Sequence, residues 1–372
     1  MISRSVAGIS DNGLEEDSVM RLTRRQNHAG HRVKPLMLGL IALGALGMIV
    51  SPALGGVDTT HTLAQVVDTG GVQSQRVSDV IETMRQWKVV TLVVSMVLVI
   101  ALLFAGGLLR PGGFAKAGLR DVSLLPAVVW IFAAFVVILA LSSAPTLISK
   151  IGWVQQQGYT EMQLQTIDTV GSYLFAIVAG VGMLFVLKRS TMSEGECKSG
   201  LGLSLLDVPV GLGCFFLAYP FIELMNMLGV FLYEQTQNAP PDGMAHPTLK
   251  MLEESPNDPW VWVLLGAAVI GASFYEELVY RVFLQGAMLK WLKSPWLAII
   301  ITALLFTGMH RLGQPPVPWH ALVPIFAVGL SCGIAYERTR RVGVPIMIHM
   351  CFNLLNVILA LIISADAAQT GV

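Results

Sequence analysis

Two adjacent acids, Glu276 and Glu277, lie inside the apolar stretch from Trp260 to Leu289, and Arg281 follows the second by four positions. An ionised group held within a bilayer is costly unless it is paired or hydrated, so such a cluster marks a functional site before anything else is known. In a helix Glu277 and Arg281 are i and i+4 with the acid first, the favourable order for an ion pair. Glu276 then points about 100° away around the helix and is left for chemistry, as a general base acting on water.

Two later apolar segments add one histidine each. His310 ends Phe306-Thr307-Gly308-Met309-His310, and His349 opens His349-Met350-Cys351-Phe352-Asn353. Both spacings are i, i+4 and place two side chains on one helix face, with Phe306 beneath His310 and Asn353 one turn beyond His349. Two chemistries fit this set. Glu276 can activate water while an imidazole and Asn353 stabilise the oxyanion of an amide under attack. Alternatively, His310, His349 and Glu276 can hold zinc or another divalent metal, with water in the open position.

The elements that must position these groups are apolar helices. The 372 residues are 54% hydrophobic and 13% charged, with mean hydropathy +0.66, against about 25% charged for an ordinary soluble domain. At roughly 20 residues per crossing the sequence predicts an all-α polytopic bundle of about nine spans. Their limits are near 36–55, 89–109, 124–143, 170–187, 208–232, 260–289, 295–310, 319–336 and 342–364. Arg and Lys concentrate in alternate connections, which predicts a cytoplasmic N-terminus and an outer C-terminus. The first span is expected to be an uncleaved anchor, because the polar segment before it is much longer than that of a signal peptide. The connections 56–87, 144–169 and 233–259 read as loops. The expected units are a basic cytoplasmic tail (1–34), N-terminal spans with outer loops (35–254), a peptidase-like unit (255–364) and a short outer tail (365–372). A formal net charge of +0 leaves no overall basic field for nucleic acid. The four cysteines show no paired spacing, so no disulfide framework is expected.

In this order the residues resemble the type II CAAX prenyl endopeptidases and their bacterial relatives, the CPBP or Abi-type intramembrane proteases. The family pattern is E-E-x-x-x-R, F-x-x-x-H and H-x-x-x-N or D. It is present as Glu276-Glu277-Leu278-Val279-Tyr280-Arg281, as Phe306 to His310, and as His349 to Asn353. The resemblance covers about residues 255 to 364. It implies a helical membrane endopeptidase in which Glu276 activates water and His310, His349 and Asn353 share the active site. The implied partners are membrane lipid and a membrane-associated, lipid-linked peptide or protein, and in a bacterium the implied location is the inner membrane. Metal use stays open, since members have been described both as metalloproteases and as glutamate-dependent enzymes.

Other readings are weaker. A proton-coupled carrier would also bury Glu, His and Arg, but no matching pair of interrupted spans supports it. A non-catalytic scaffold or immunity-type protein would keep the fold without the need for all three motifs. Ser273 in Gly271-Ala272-Ser273 is expected to bond its own helix rather than act as a nucleophile. Glu223, a second acid in an apolar span, is expected to border the cavity or pair with another helix. His320 reads as an interface anchor beside Trp319, and Cys351 as a small apolar residue. Counted along straight helices, Glu276 and His349 fall at different depths. The stretch Val282 to Lys293 is therefore expected to tilt or lie in the membrane interface.

Overall fold

The computed structural model describes residues 71–107, 126–148, 150–190, 203–241, 258–313 and 316–370, with Leu249, Met251 and Ser255 between. The expected first span, 36–55, and the basic tail lie outside the described residues. Nine helices are described: α1 (Gly71–Ala105), α2 (Ala127–Ile148), α3 (Gly152–Gln156), α4 (Glu161–Ser190), α5 (Asp207–Gln237), α6 (Pro259–Leu292), α7 (Pro295–Leu312), α8 (Trp319–Thr339) and α9 (Gly343–Thr370). All but α3 contain a stretch long and apolar enough to cross a membrane, and no strand occurs among the described residues. The chain is a multi-pass, all-α membrane protein.

Side-chain and proline chemistry sets the helix ends. Asp258 accepts a hydrogen bond from Trp260 N–H (2.9 Å) and Pro259 opens α6, so the cap satisfies a donor and proline occupies a position where its missing N–H is harmless. Lys293 in the left-handed region (φ 53°) ends α6, and Ser294 caps α7 ahead of Pro295. The chain therefore reverses within two residues, and two of the motif-bearing helices become neighbours.

Helices outrun the apolar limits seen in sequence. The stretch 71–87, expected as loop, is the first half of α1, and α4 starts at Glu161, which draws Asp168 into a helix. Hydropathy marks where lipid begins, whereas Gln, Glu, Met and Arg propagate helix as well in water as in lipid. Glu223 forms an ion pair with Lys88 (2.8 Å), which joins α5 to α1.

The core lies on the C-terminal side. α8 packs against α5, α7 and α9, while α2 and α4 pair with each other and lean on α6. α6 is 34 residues long, about 50 Å at the ideal helical rise, and so exceeds a hydrocarbon layer of roughly 30 Å. After Arg281, the side chains of Val282, Phe283, Gln285, Ala287, Met288 and Leu289 are all buried against neighbouring helices, while Trp291 near the end of α6 is exposed. Gln285 is held there by bonds from its Nε2 to Gly333 O (3.1 Å) and Glu337 Oε2 (3.2 Å) on α8.

Candidate active site

α6 is not a uniform helix. Two π-helical segments, Ala267–Ala272 and Leu278–Gln285, flank a short α-helical stretch, Ser273–Glu277, which carries both acids. Each π segment loosens the turn and re-aims the side chains beyond it, an irregularity that recurs at functional sites. Gly271 lies in the first segment, where a Cβ would stand 2.8 Å from Tyr173 Cδ2. The missing side chain lets α4 close on α6, and Tyr173 stacks on Tyr275 with ring centroids 5.5 Å apart.

Both acids are buried, Glu277 fully and Glu276 at 9% exposure. Arg281 Nε donates to Glu277 Oε2 at 2.8 Å, as the i, i+4 spacing predicts. The other oxygen of Glu277 accepts from His349 Nδ1–H at 3.1 Å, a partner that the sequence spacing did not reveal. The acceptor is a carboxylate, so Nδ1 carries a proton, and the tautomer this selects for a neutral ring has its lone pair on Nε2. That Nε2 stands 3.8 Å from Glu276 Oε2, an oxygen buried without a hydrogen-bond partner among the described residues. Glu277 is thus the centre of a chain Arg281–Glu277–His349, whose free end faces Glu276.

The Phe306 ring joins the other motif residues. His310, His349 and Tyr280 place their rings 4.8, 5.6 and 5.2 Å from its centroid. The guanidinium of Arg281 lies 5.5 Å from the same centroid, so the ring face offers a second interaction to a fully buried cation whose two terminal nitrogens have no hydrogen-bond partner among the described residues. His310 Nδ1–H donates to Phe306 O at 2.9 Å, which leaves Nε2 as its free nitrogen. His310 and His349 therefore flank one phenyl ring.

Asn353 links α9 to the first π segment: its Nδ2 donates to Ala268 O (3.1 Å) and Ser273 Oγ (3.4 Å). Both N–H donors are thereby engaged, and in this arrangement the amide is a brace for α6. Ser273 donates its own hydroxyl to Val269 O at 2.7 Å, as expected for a helix-bound serine. Three tyrosines missed by the sequence reading, Tyr173, Tyr275 and Tyr280, lie within electrostatic reach of Glu276. A tyrosine in an apolar run carries no positional signature, which is why they were missed. Among the described residues no three His, Cys, Asp or Glu side chains form a group that could hold a metal ion. The nearest approach is the pair Glu276 and His349, with His310 across the phenyl ring.

Comparison with known proteins points the same way. The chain is 27% identical over 191 residues to an uncharacterized 24.3 kDa protein of Escherichia coli, an alignment that covers 45% of this chain and 85% of that protein. It is 23% identical over 227 residues to the "Putative membrane peptidase YdiL" of Bacillus subtilis (strain 168), covering 60% of this chain and 83% of that one. No solved structure gives a significant match. The segment 258–355, which contains Glu276, Glu277, Arg281, Phe306, His310, His349 and Asn353, matches the family described as type II CAAX prenyl endopeptidase, Rce1-like.

Proposed function

We propose that the protein is an intramembrane endopeptidase that hydrolyses a peptide bond of a membrane-associated substrate with water activated at Glu276. The observation that carries this reading is the facing pair of acceptors, Glu276 Oε2 and His349 Nε2, 3.8 Å apart. Two lone pairs at that separation repel unless a donor lies between them, and a water molecule donates one proton to each. Arg281 and Glu277 hold the imidazole in the required tautomer, as a carboxylate does for a general base elsewhere.

The reaction balances with these groups alone. Glu276 takes a proton from water as the hydroxyl oxygen bonds to the peptide carbonyl carbon. The tetrahedral intermediate then breaks its C–N bond, and Glu276 returns the proton to the leaving nitrogen. The products are a carboxylic acid and an amine, with the enzyme unchanged. His310, with one nitrogen committed to Phe306 O, is a candidate to stabilise the oxyanion in its protonated form. Burial strengthens each of these interactions by excluding bulk water.

The likeness to CAAX endopeptidases supports a substrate whose cleaved end is carried by lipid, and in a bacterium the location would be the plasma membrane. Glu276→Gln keeps size and polarity but cannot take a proton. In the purified, reconstituted chain it should abolish cleavage of a membrane-linked peptide while insertion and thermal unfolding stay as in the unaltered protein; retained cleavage would sink the mechanism. Solute flux in vesicles without any proteolysis would favour a carrier instead. Elemental analysis of the active protein, beside chelator treatment, measures whether a divalent ion takes part.

A further inference from the structure

An open groove with about 770 Å³ of accessible space lies between α2, α4 and α6, with Tyr173 and Tyr275 in its wall. It is large enough for one or two residues of a peptide, within the usual range of ligand sites. Its polar lining includes Glu161, Gln165, Asp168, Ser172 and the two tyrosines, and no Lys, Arg or His contributes to it. Glu161 and Asp168 are seven residues apart on α4, about two turns, so both carboxylates lie on the same face.

Two features indicate that the lining awaits a ligand. Ser172 is more than nine-tenths buried and lines the cavity, yet its hydroxyl has no hydrogen-bond partner among the described residues. Other hydroxyls of this bundle, those of Ser143, Thr166, Ser273 and Thr302, donate to the carbonyl four residues back. Asp168 is half-buried within a membrane-crossing helix and has no ion-pair partner among the described residues.

We propose that this cavity is a binding site for a cationic group of the substrate, a lysine or arginine side chain close to the scissile bond. Asp168 is the charge partner, Ser172 accepts a further N–H, and Glu161 draws the cation in from the mouth. The tyrosine pair forms part of the wall, and Tyr275 directly precedes Glu276 on α6, so an occupant lies against the residue next to the proposed base. The same field repels a free carboxylate, so the new C-terminal acid cannot settle there. This rests on the endopeptidase reading, and the test separates the two.

The probes are lipid-linked quenched peptides that differ only in one residue near the cleaved bond, Lys, Gln or Glu, in vesicles of neutral phosphatidylcholine. Binding is measured on the full-length Glu276→Gln protein by anisotropy, and cleavage on the unaltered chain. The Lys peptide should exceed the Gln peptide about tenfold in both readouts, the scale of one charge-assisted hydrogen bond. Asp168→Asn should bring that ratio close to one, and Asp168→Lys should reverse the order in favour of the Glu peptide. Binding preference without cleavage would refute the peptidase reading and leave the site standing. Cleavage or binding with no charge preference, or a preference that survives Asp168→Asn, would overturn the site.

Discussion

Glu277 holds two partners at once, and its removal tests how far the ion pair is structural. With Glu277→Gln the fully buried Arg281 loses its only carboxylate, and a lone buried charge should destabilise the fold by about 3 kcal/mol. The double substitution Glu277→Met with Arg281→Met removes both charges and should recover most of the thermal stability in detergent. It should not recover activity, because His349 Nδ1 then has no acceptor to fix its tautomer. If the double variant cleaves normally, the Arg281–Glu277–His349 chain is dispensable. Phe306 makes a different contribution: it touches three rings and a guanidinium. Phe306→Ala should cost about 3 to 5 kcal/mol as a cavity in the core, read by the same unfolding measurement.

At the scale of the element, the two π segments of α6 set where the acids face. Deleting one residue from Ala267–Ala272 restores an α-helical register and turns Glu276 by about 100° relative to the preceding part of α6. The deletion should abolish cleavage while leaving all spans inserted; unchanged turnover would show that the irregularity does not aim the acid. This irregularity also marks the limit of what could be read from the residues. The eight described spans were legible because lipid demands long apolar runs, and the Glu277–Arg281 pair because helical spacing puts it on one face. The bond from His349 to Glu277 was not legible, since it depends on how α9 sits against α6 over a separation of 72 residues. Likewise the bond from the Asn353 amide to the Ala268 carbonyl was not legible, since it depends on how α9 sits against the first π segment. Helix ends were misjudged where polar residues continued a helix past the membrane, as at Glu161 and Gly71.

Across the whole molecule, the charged connections predict an orientation that is open to direct measurement. In a background lacking the native cysteines, Gln157→Cys should react with an impermeant maleimide from outside the cell. Lys293→Cys should react only after permeabilisation, because three crossings, α4, α5 and α6, separate the two positions. The reverse pattern would invert the molecule and place the Asp168 cavity mouth on the cytoplasmic side. α9 also connects the site to the rest of the bundle. Arg341, just before α9, pairs with Asp207 on α5, and Met347 packs where Gly211 of α5 has no side chain. Farther along, α9 holds α6 twice, by His349 to Glu277 and by Asn353 to Ala268. Sliding α9 by a single residue's rise, about 1.5 Å, would break both holds together. The Glu277–His349 bond and the α6 brace therefore share one support, the seam of α9 on α5, and a substitution that opens that seam at Gly211 or Asp207 should be felt at Glu277, on a different helix.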